Sequence, residues 1–237
     1  MTKVIKVDRV QSVSEAVRLE KAGANIISVS LAKNSRFDDT RDITTETALA
    51  IKQSLINAKY VAEVNFNWEI AQIIELAKNI GFDYLQPNDR NVPDENCLRS
   101  LAAEGIKIVY PYIEVSHDSD PDWIFSRFEN KKKLNAAYFQ LDVFSDYSDD
   151  AWKFIKYESP EYPEEFQIED IDRLAQERPL LISFNYSEQN IVEIFNTFSN
   201  IKGISLVLAD SIKWSLHHFD YPTCEKVIRQ LQVEPVQ

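Results

Sequence analysis

Residues 4–31 read VIKVDRVQSVSEAVRLEKAGANIISVSL. An apolar run, Val4–Val7, ends in Asp8. Ser12-Val-Ser-Glu15 then has the form of a capping box, with a Glu three residues after a Ser. Ala16, Leu19 and Ala22 follow at helical spacing, Gly23 is a left-handed stop, and a second apolar run, Ile26–Leu31, begins. This is one strand–helix–strand unit, and the pattern repeats along the whole chain.

The further runs are Tyr60–Val64, Phe82–Leu85, Ile106–Ile113, Ala137–Leu141, Leu180–Phe184 and Ile204–Leu208. The eight runs exit in polar residues: Asp8, Asn34, Asn65, Gln86, Glu114, Asp142, Asn185 and Asp210. Between them lie helical patterns. Thr44 or Thr45 caps the second helix, and Trp68 to Ile80 forms the third, ended by Gly81. Asp94 opens the fourth, Asp120-Pro121-Asp122 the fifth, with Pro at its first position, and Ile168 the sixth. Ser187 caps the seventh, and Tyr221-Pro222-Thr223 leads into the last. Eight alternations of buried strand and helix predict an α/β fold, a single (β/α)8 TIM barrel spanning residues 1–237. In such a barrel the working face lies where the strands end. The longest stretch without a clear element is Val143–Phe166, after the sixth strand.

The composition narrows the function. The net charge of −12 argues against nucleic acid and anionic membranes as partners, since both recruit clustered Lys and Arg. It favours a basic protein or a cationic ligand. From Asp142 to Asp172 the chain carries eleven Asp and Glu against Lys153 and Lys156. The N-terminal stretch MTKVIKVDRV lacks a signal-type apolar core, and no apolar run is long enough for a membrane span, so the chain reads as cytoplasmic. Cys97 and Cys224 stand alone in sequence and read as idle thiols, neither a disulfide nor a metal site. No cofactor motif is present.

The order of these pieces resembles phosphoribosylanthranilate isomerase. The resemblance lies in Lys6-Val7-Asp8 with Val13-Ser-Glu-Ala16 and Lys21-Ala-Gly-Ala24, and in Arg41-Asp-Ile-Thr-Thr-Glu-Thr-Ala48. It continues in Ile80-Gly-Phe-Asp-Tyr-Leu-Gln86, Phe139-Gln-Leu-Asp142 and Arg178-Pro-Leu-Leu-Ile182. It implies a general acid at Asp142 and a substrate-binding arginine at Arg41. The chain departs from that family in two places. The family has Cys-Gly at the end of the first strand, with the Cys as general base, where this chain has Asp8-Arg9. The family's glycine-rich phosphate loops after strands six, seven and eight become Ser145–Asp150, Ser183–Tyr186 and Val207–Asp210. Glycine lets backbone N–H groups approach a phosphate closely, and acidic or bulky residues oppose it.

Several groups of residues can carry chemistry. Asp8 and Asp142, at the exits of strands one and six, can act as base and acid across the barrel mouth. Asn65, Gln86, Tyr112, Glu114, Asn185 and Asp210, with Arg41, can line a pocket for a small polar or cationic ligand; the alternative is that they tie down the loops. Asp8, Asp89, Glu114, Asp142 and Asp210 form an acidic ring without the spacing of a metal site, and read as rim charges. His217-His218 reads as surface or packing, since adjacent helical residues face apart. Asp146, Asp149, Asp150, Trp152 and Tyr157 read as aromatic anchors within an acidic rim, a pattern that suits a protein partner.

Two expectations follow. The first is a diverged relative without isomerase activity, which binds a basic protein such as a cationic toxin or nuclease through its acidic face. The alternative is a sugar isomerase or related acid–base enzyme using Asp8 and Asp142 on an unphosphorylated or cationic substrate. Phosphoribosylanthranilate isomerase activity itself ranks behind both.

Overall fold

In a computed structural model, the structure describes residues 3–32, 41–129, 133–145, 150–210 and 217–233. Eight parallel strands follow one another around a closed sheet. They are β1 (Val4–Asp8), β2 (Ile26–Ser30), β3 (Lys59–Val64), β4 (Tyr84–Pro87), β5 (Lys107–Val115), β6 (Ala136–Val143), β7 (Leu180–Ser183) and β8 (Gly203–Leu208). Closure comes from β1 pairing with β8, from Val4 opposite Gly203 to Asp8 opposite Val207. Gly203 permits this approach: a Cβ there would lie 1.9 Å from the Val4 carbonyl oxygen. The polar exits Asp8, Glu114, Asp142 and Asp210 therefore all lie at one end of the barrel.

The helices outside the sheet are α1 (Val13–Ala22), α2 (Thr45–Ser54), α3 (Ile70–Ile80), α4 (Glu95–Ala103), α5 (Ser126–Glu129), α6 (Ala151–Lys153), α7 (Ile168–Glu177), α8 (Ile191–Thr197) and α9 (Tyr221–Val233). Three caps read from sequence are formed, whereas Ser187 precedes a turn and α8 begins at Ile191 after Asn190. Ser12 accepts from Glu15 N–H, Thr44 from Thr47 N–H and Asp94 from Cys97 N–H. Gly23 and Gly81 take left-handed conformations at φ 119° and 84°.

Three local expectations are corrected. The segment at Asp120–Asp122 turns instead of starting a helix, and α5 forms only at Ser126–Glu129. Val143–Phe166 contains a helical stretch: α6 runs into a π-turn at Phe154–Glu158 and a 3₁₀ turn at Ser159–Glu161. Its apolar residues Trp152, Phe154, Ile155 and Phe166 are buried, which ties the segment to the barrel. A short strand, β9 (His218–Phe219), extends the sheet by pairing with the end of β8.

The strands divide their side chains between two environments. Outward residues such as Ile5, Val7, Ile27, Val29, Leu141 and Ile182 form one continuous core with the helices. The alternate positions near the strand starts, Ile26, Val61 and Val109 with Tyr84 and Tyr138, form a separate apolar cluster, the floor of the barrel interior. Two residues further along most of the strands the interior becomes polar. No helix among the described residues is long and apolar enough to cross a membrane.

Candidate functional site

The inward positions above the apolar floor are Lys6, Ser28, Glu63, Gln86, Gln140 and Ser205, all buried. Above them come Asp8, Ser30, Asp142 and Ser183. Strand alternation is the cause, because residues i and i+2 share a face: Lys6 and Asp8 on β1, Gln140 and Asp142 on β6.

These groups form a connected network. Lys6 makes a salt bridge to Asp8 and donates to Gln140 Oε1 at 3.1 Å. Ser205 Oγ donates to Asp8 Oδ2 at 2.9 Å. Gln86 Nε2 donates to Glu63 Oε2 at 3.1 Å and lies 3.4 Å from Asp8 Oδ1, linking the two carboxylates. Tyr112 donates to the same Glu63 oxygen at 3.3 Å. Tyr112 follows Pro111 at a register shift between β5 and β6 and sits at φ 61°, an unusual conformation for a bulky residue. A bulge of this kind turns a side chain that would otherwise follow the strand's alternation. Arg127 braces it by donating to the Pro111 carbonyl at 2.9 Å.

Asp142 is 8% exposed and lies in register with Glu114 on one side and Ser183 on the other. Its charge reaches Tyr186. Burial pushes the Tyr186 hydroxyl well above its ordinary pKa, and the Asp142 carboxylate adds to the effect. Tyr186 donates to the Ile182 carbonyl at 2.8 Å, so it acts as a fixed wall beside Asp142.

The remaining sequence candidates have these positions. Arg41, 2% exposed, gives Nε to the Arg9 carbonyl (2.9 Å), Nη1 to Asp210 (2.8 Å) and Nη2 to Glu15 (2.7 Å). It ties the exit of β1, the approach to α2, the start of α1 and the end of β8 into one clamp. Glu114 is partly buried and pairs with Arg90. Asn65 accepts from Asn67 N–H at 2.8 Å and shapes the β3–α3 turn. The Asn185 carbonyl accepts from Asn190 at 3.1 Å. His217 contacts the Val143 carbonyl and stacks on Phe144, with ring centroids 4.8 Å apart. Among the described residues no group of three His, Cys, Asp or Glu is placed to hold a metal.

The proposed partner face is corrected at one residue. Trp152 is 3% exposed, packs edge-on to Phe184 and Phe198, and donates to Glu193 at 3.0 Å; it is a core residue, not a surface anchor. Asp150 caps α6 by accepting from Lys153 N–H at 3.0 Å. Tyr157 is 60% exposed. Asp146 and Asp149 lie outside the described residues.

Sequence reading missed Lys6, Glu63, Gln140 and Ser205. Their signal was present, since each is a polar residue inside an apolar run, at an even offset from an inward-facing position. That offset has meaning only once the barrel's inner face is assigned.

Fold and site together define a parallel (β/α)8 barrel whose lumen turns polar toward the ends of its strands. No family profile matches the chain, and no curated protein sequence does. Solved structures do. The monomeric form of phosphoribosylanthranilate isomerase from Thermotoga maritima aligns at 15% identity over 98% of this chain and 100% of its own, with a TM-score of 0.63. Phosphoribosylanthranilate isomerase in complex with reduced 1-(o-carboxyphenylamino)-1-deoxyribulose 5-phosphate aligns at 15% identity over 98% and 100%, with a TM-score of 0.64. 3-Hexulose-6-phosphate synthase from Salmonella typhimurium aligns at 14% identity over 98% and 99%, with a TM-score of 0.54. The chain thus has the fold of phosphoribosylanthranilate isomerase and of other barrel enzymes, at a sequence distance where the likeness concerns fold alone.

Proposed function

We propose that this protein is an acid–base enzyme of the sugar-isomerase kind, acting on a small unphosphorylated polar molecule in the barrel mouth. The observation that carries this reading is the buried network of Lys6, Asp8, Glu63 and Gln86 at the strand ends. Taking ions out of water costs several kcal/mol each, and apolar residues would fill the lumen more stably. Such groups collect where chemistry needs them. Asp8 and Asp142 are the candidate base and acid, at the ends of β1 and β6. Asp8 is oriented by Lys6, Ser205 and Gln86.

The absence of phosphate from the substrate is supported by two features. No glycine follows β6, β7 or β8, where a phosphate cradle would need one. Arg41 is engaged by Glu15, Asp210 and the Arg9 carbonyl. The test is deuterium exchange at the carbon beside the carbonyl, followed by proton NMR in D2O over a panel of free aldoses, ketoses and amino sugars. Exchange by the wild-type chain, lost roughly 100-fold or more in Asp142→Asn, is expected. Exchange no faster than in buffer, or equal in Asp142→Asn, overturns the reading.

A second reading keeps the protein partner. Tyr157 and Tyr162 are 60% and 49% exposed, and Glu158, Glu161 and Glu164 are exposed beside them. Exposed aromatics inside a carboxylate rim suit a basic protein, with the rim steering and the rings anchoring.

A further inference from the structure

Hydrogen bonding in the lumen is incomplete at Gln86. Its Nε2 is committed to Glu63 and Asp8, while its Oε1, in a side chain buried with the rest of the residue at 2% exposure, has no donor among the described residues. The amide cannot be reversed to cure this, because Oε1 would then face two carboxylates. Buried acceptors without a donor are rare in native proteins, and each calls for a ligand, a water or an ion.

We propose that Gln86 Oε1 is the specificity-determining acceptor of a ligand site in the barrel lumen, and that it takes a hydroxyl or ammonium group of a small polyol or amino polyol. The proposal rests on the reading that the lumen is the working site, and it names what enters. The surroundings select the chemistry. Gln86 offers the ligand an acceptor only, since its donors are spent. Beside it stand the Glu63 and Asp8 carboxylates, which also accept. The one cation of this network among the described residues, Lys6, is already held by Asp8 and Gln140, so a phosphate or carboxylate arriving at Oε1 would meet three acceptors; a hydroxyl or ammonium group would meet partners. The strained bulge at Tyr112 supports the same place, because it sets the Tyr112 hydroxyl on Glu63 and so fixes that carboxylate next to Gln86.

The informative variant is Gln86→Lys. An ammonium at that position still donates toward Asp8 and Glu63 while the acceptor is lost; it also adds a positive charge, so the uncharged sorbitol is the probe that reads the acceptor and the amine is read beside it. The full chain is titrated with sorbitol, with 1-amino-1-deoxysorbitol and with inorganic phosphate, using saturation-transfer NMR and calorimetry. The wild type is expected to bind at least one of the two polyols at about millimolar concentration, undisturbed by phosphate. Gln86→Lys is expected to bind it roughly tenfold or more weakly while melting close to the wild type. If sorbitol binds as well as the amine, the recognised group is a hydroxyl; if only the amine binds, it is an ammonium. Both results support the site. Absence of binding by either polyol at about 50 mM, competition by phosphate, or equal binding by Gln86→Lys overturns it. Should Gln86→Lys not fold, the wild-type Gln86 side-chain amide resonance decides. It shifts on titration if Oε1 accepts the ligand, and an unmoved resonance overturns the site. Turnover is read separately by deuterium exchange. Polyol binding without exchange removes the proposed reaction and keeps the site, while exchange that is indifferent to Gln86→Lys keeps the reaction and removes the site.

Discussion

Lys6 and Asp8, two residues apart on β1, form a salt bridge inside the barrel with side-chain exposures of 0% and 4%. Neither charge reaches bulk water, so each depends on the other and on Gln140, Ser205 and Gln86. The pair makes the lumen expensive to build and easy to break.

Lys6→Met should therefore cost about 3–5 kcal/mol in urea denaturation, because it leaves a buried carboxylate without its cation. The double variant Lys6→Met with Asp8→Leu should recover a good part of that loss, since the unpaired charge goes with it. If the two losses simply add, the charges are not coupled.

Arg41 is expected to behave as a clamp. Its guanidinium holds Glu15, Asp210 and the Arg9 carbonyl at once. Arg41→Met should lower stability by about 3 kcal/mol. Arg41→Lys should restore only a fraction, as a point charge cannot serve three directions in one plane. Equilibrium unfolding of the three proteins measures this. A wild-type stability in Arg41→Met would mean that the arginine is kept for a ligand instead.

Stability should fall between pH 6.5 and about 4, and His217 should be the cause. Burial is the main reason that its pKa lies at about 4, against 6.5 in the unfolded chain; the neighbouring His218 adds to this and the contact with the Val143 carbonyl opposes it. In this window the unfolded chain binds a proton that the native protein refuses, so unfolding gains as pH drops. The effect is complete near pH 4, absent above about 6.5, and on the order of 2–3 kcal/mol. Glu20, Asp83 and Glu225 are held below their usual range, where burial is outweighed by backbone hydrogen bonds or basic neighbours. Their contributions are lost only below the unfolded carboxylate values, 4.5 for Glu and 3.8 for Asp. His217→Phe keeps a ring against Phe144 and should flatten the urea midpoint between pH 5 and 7.5. A slope unchanged from wild type would assign it to other groups.

The two aromatic types on the segment after β6 should separate cleanly. Trp152→Ala empties a core site and should cost about 3–5 kcal/mol. Tyr157→Ala with Tyr162→Ala should leave the melting temperature within a few degrees, because both rings are exposed. If this face docks a basic protein, the double variant should lose partner capture from the native cell extract and dissociate faster in kinetics, while low salt speeds association for both forms. Equal capture by the double variant would exclude this face as the docking surface.

The sequence by itself determined the barrel. Each apolar run, each capping residue and each terminal glycine acts within its own few residues, so the alternation of strand and helix and the common end of Asp8, Glu114, Asp142 and Asp210 were legible without coordinates. Asp8, Gln86 and Asp142 were legible as candidates for the same reason: they stand at strand exits. Only the tertiary structure decided what faces what. Lys6, Glu63 and Gln140 read as polar interruptions of buried strands until closure places them in one lumen. Trp152 read as a surface aromatic because its acidic neighbours are local, whereas its burial against Phe184 and Phe198 depends on residues more than thirty positions away. Arg41 carried the pattern of a ligand-binding residue, yet its three partners come from the first helix, the exit of β1 and the end of β8. The physical reason is the same in each case. Backbone preference and periodicity are local and written in order along the chain, while the pairing of charges and the filling of space depend on contacts between distant segments that exist only once the sheet has closed.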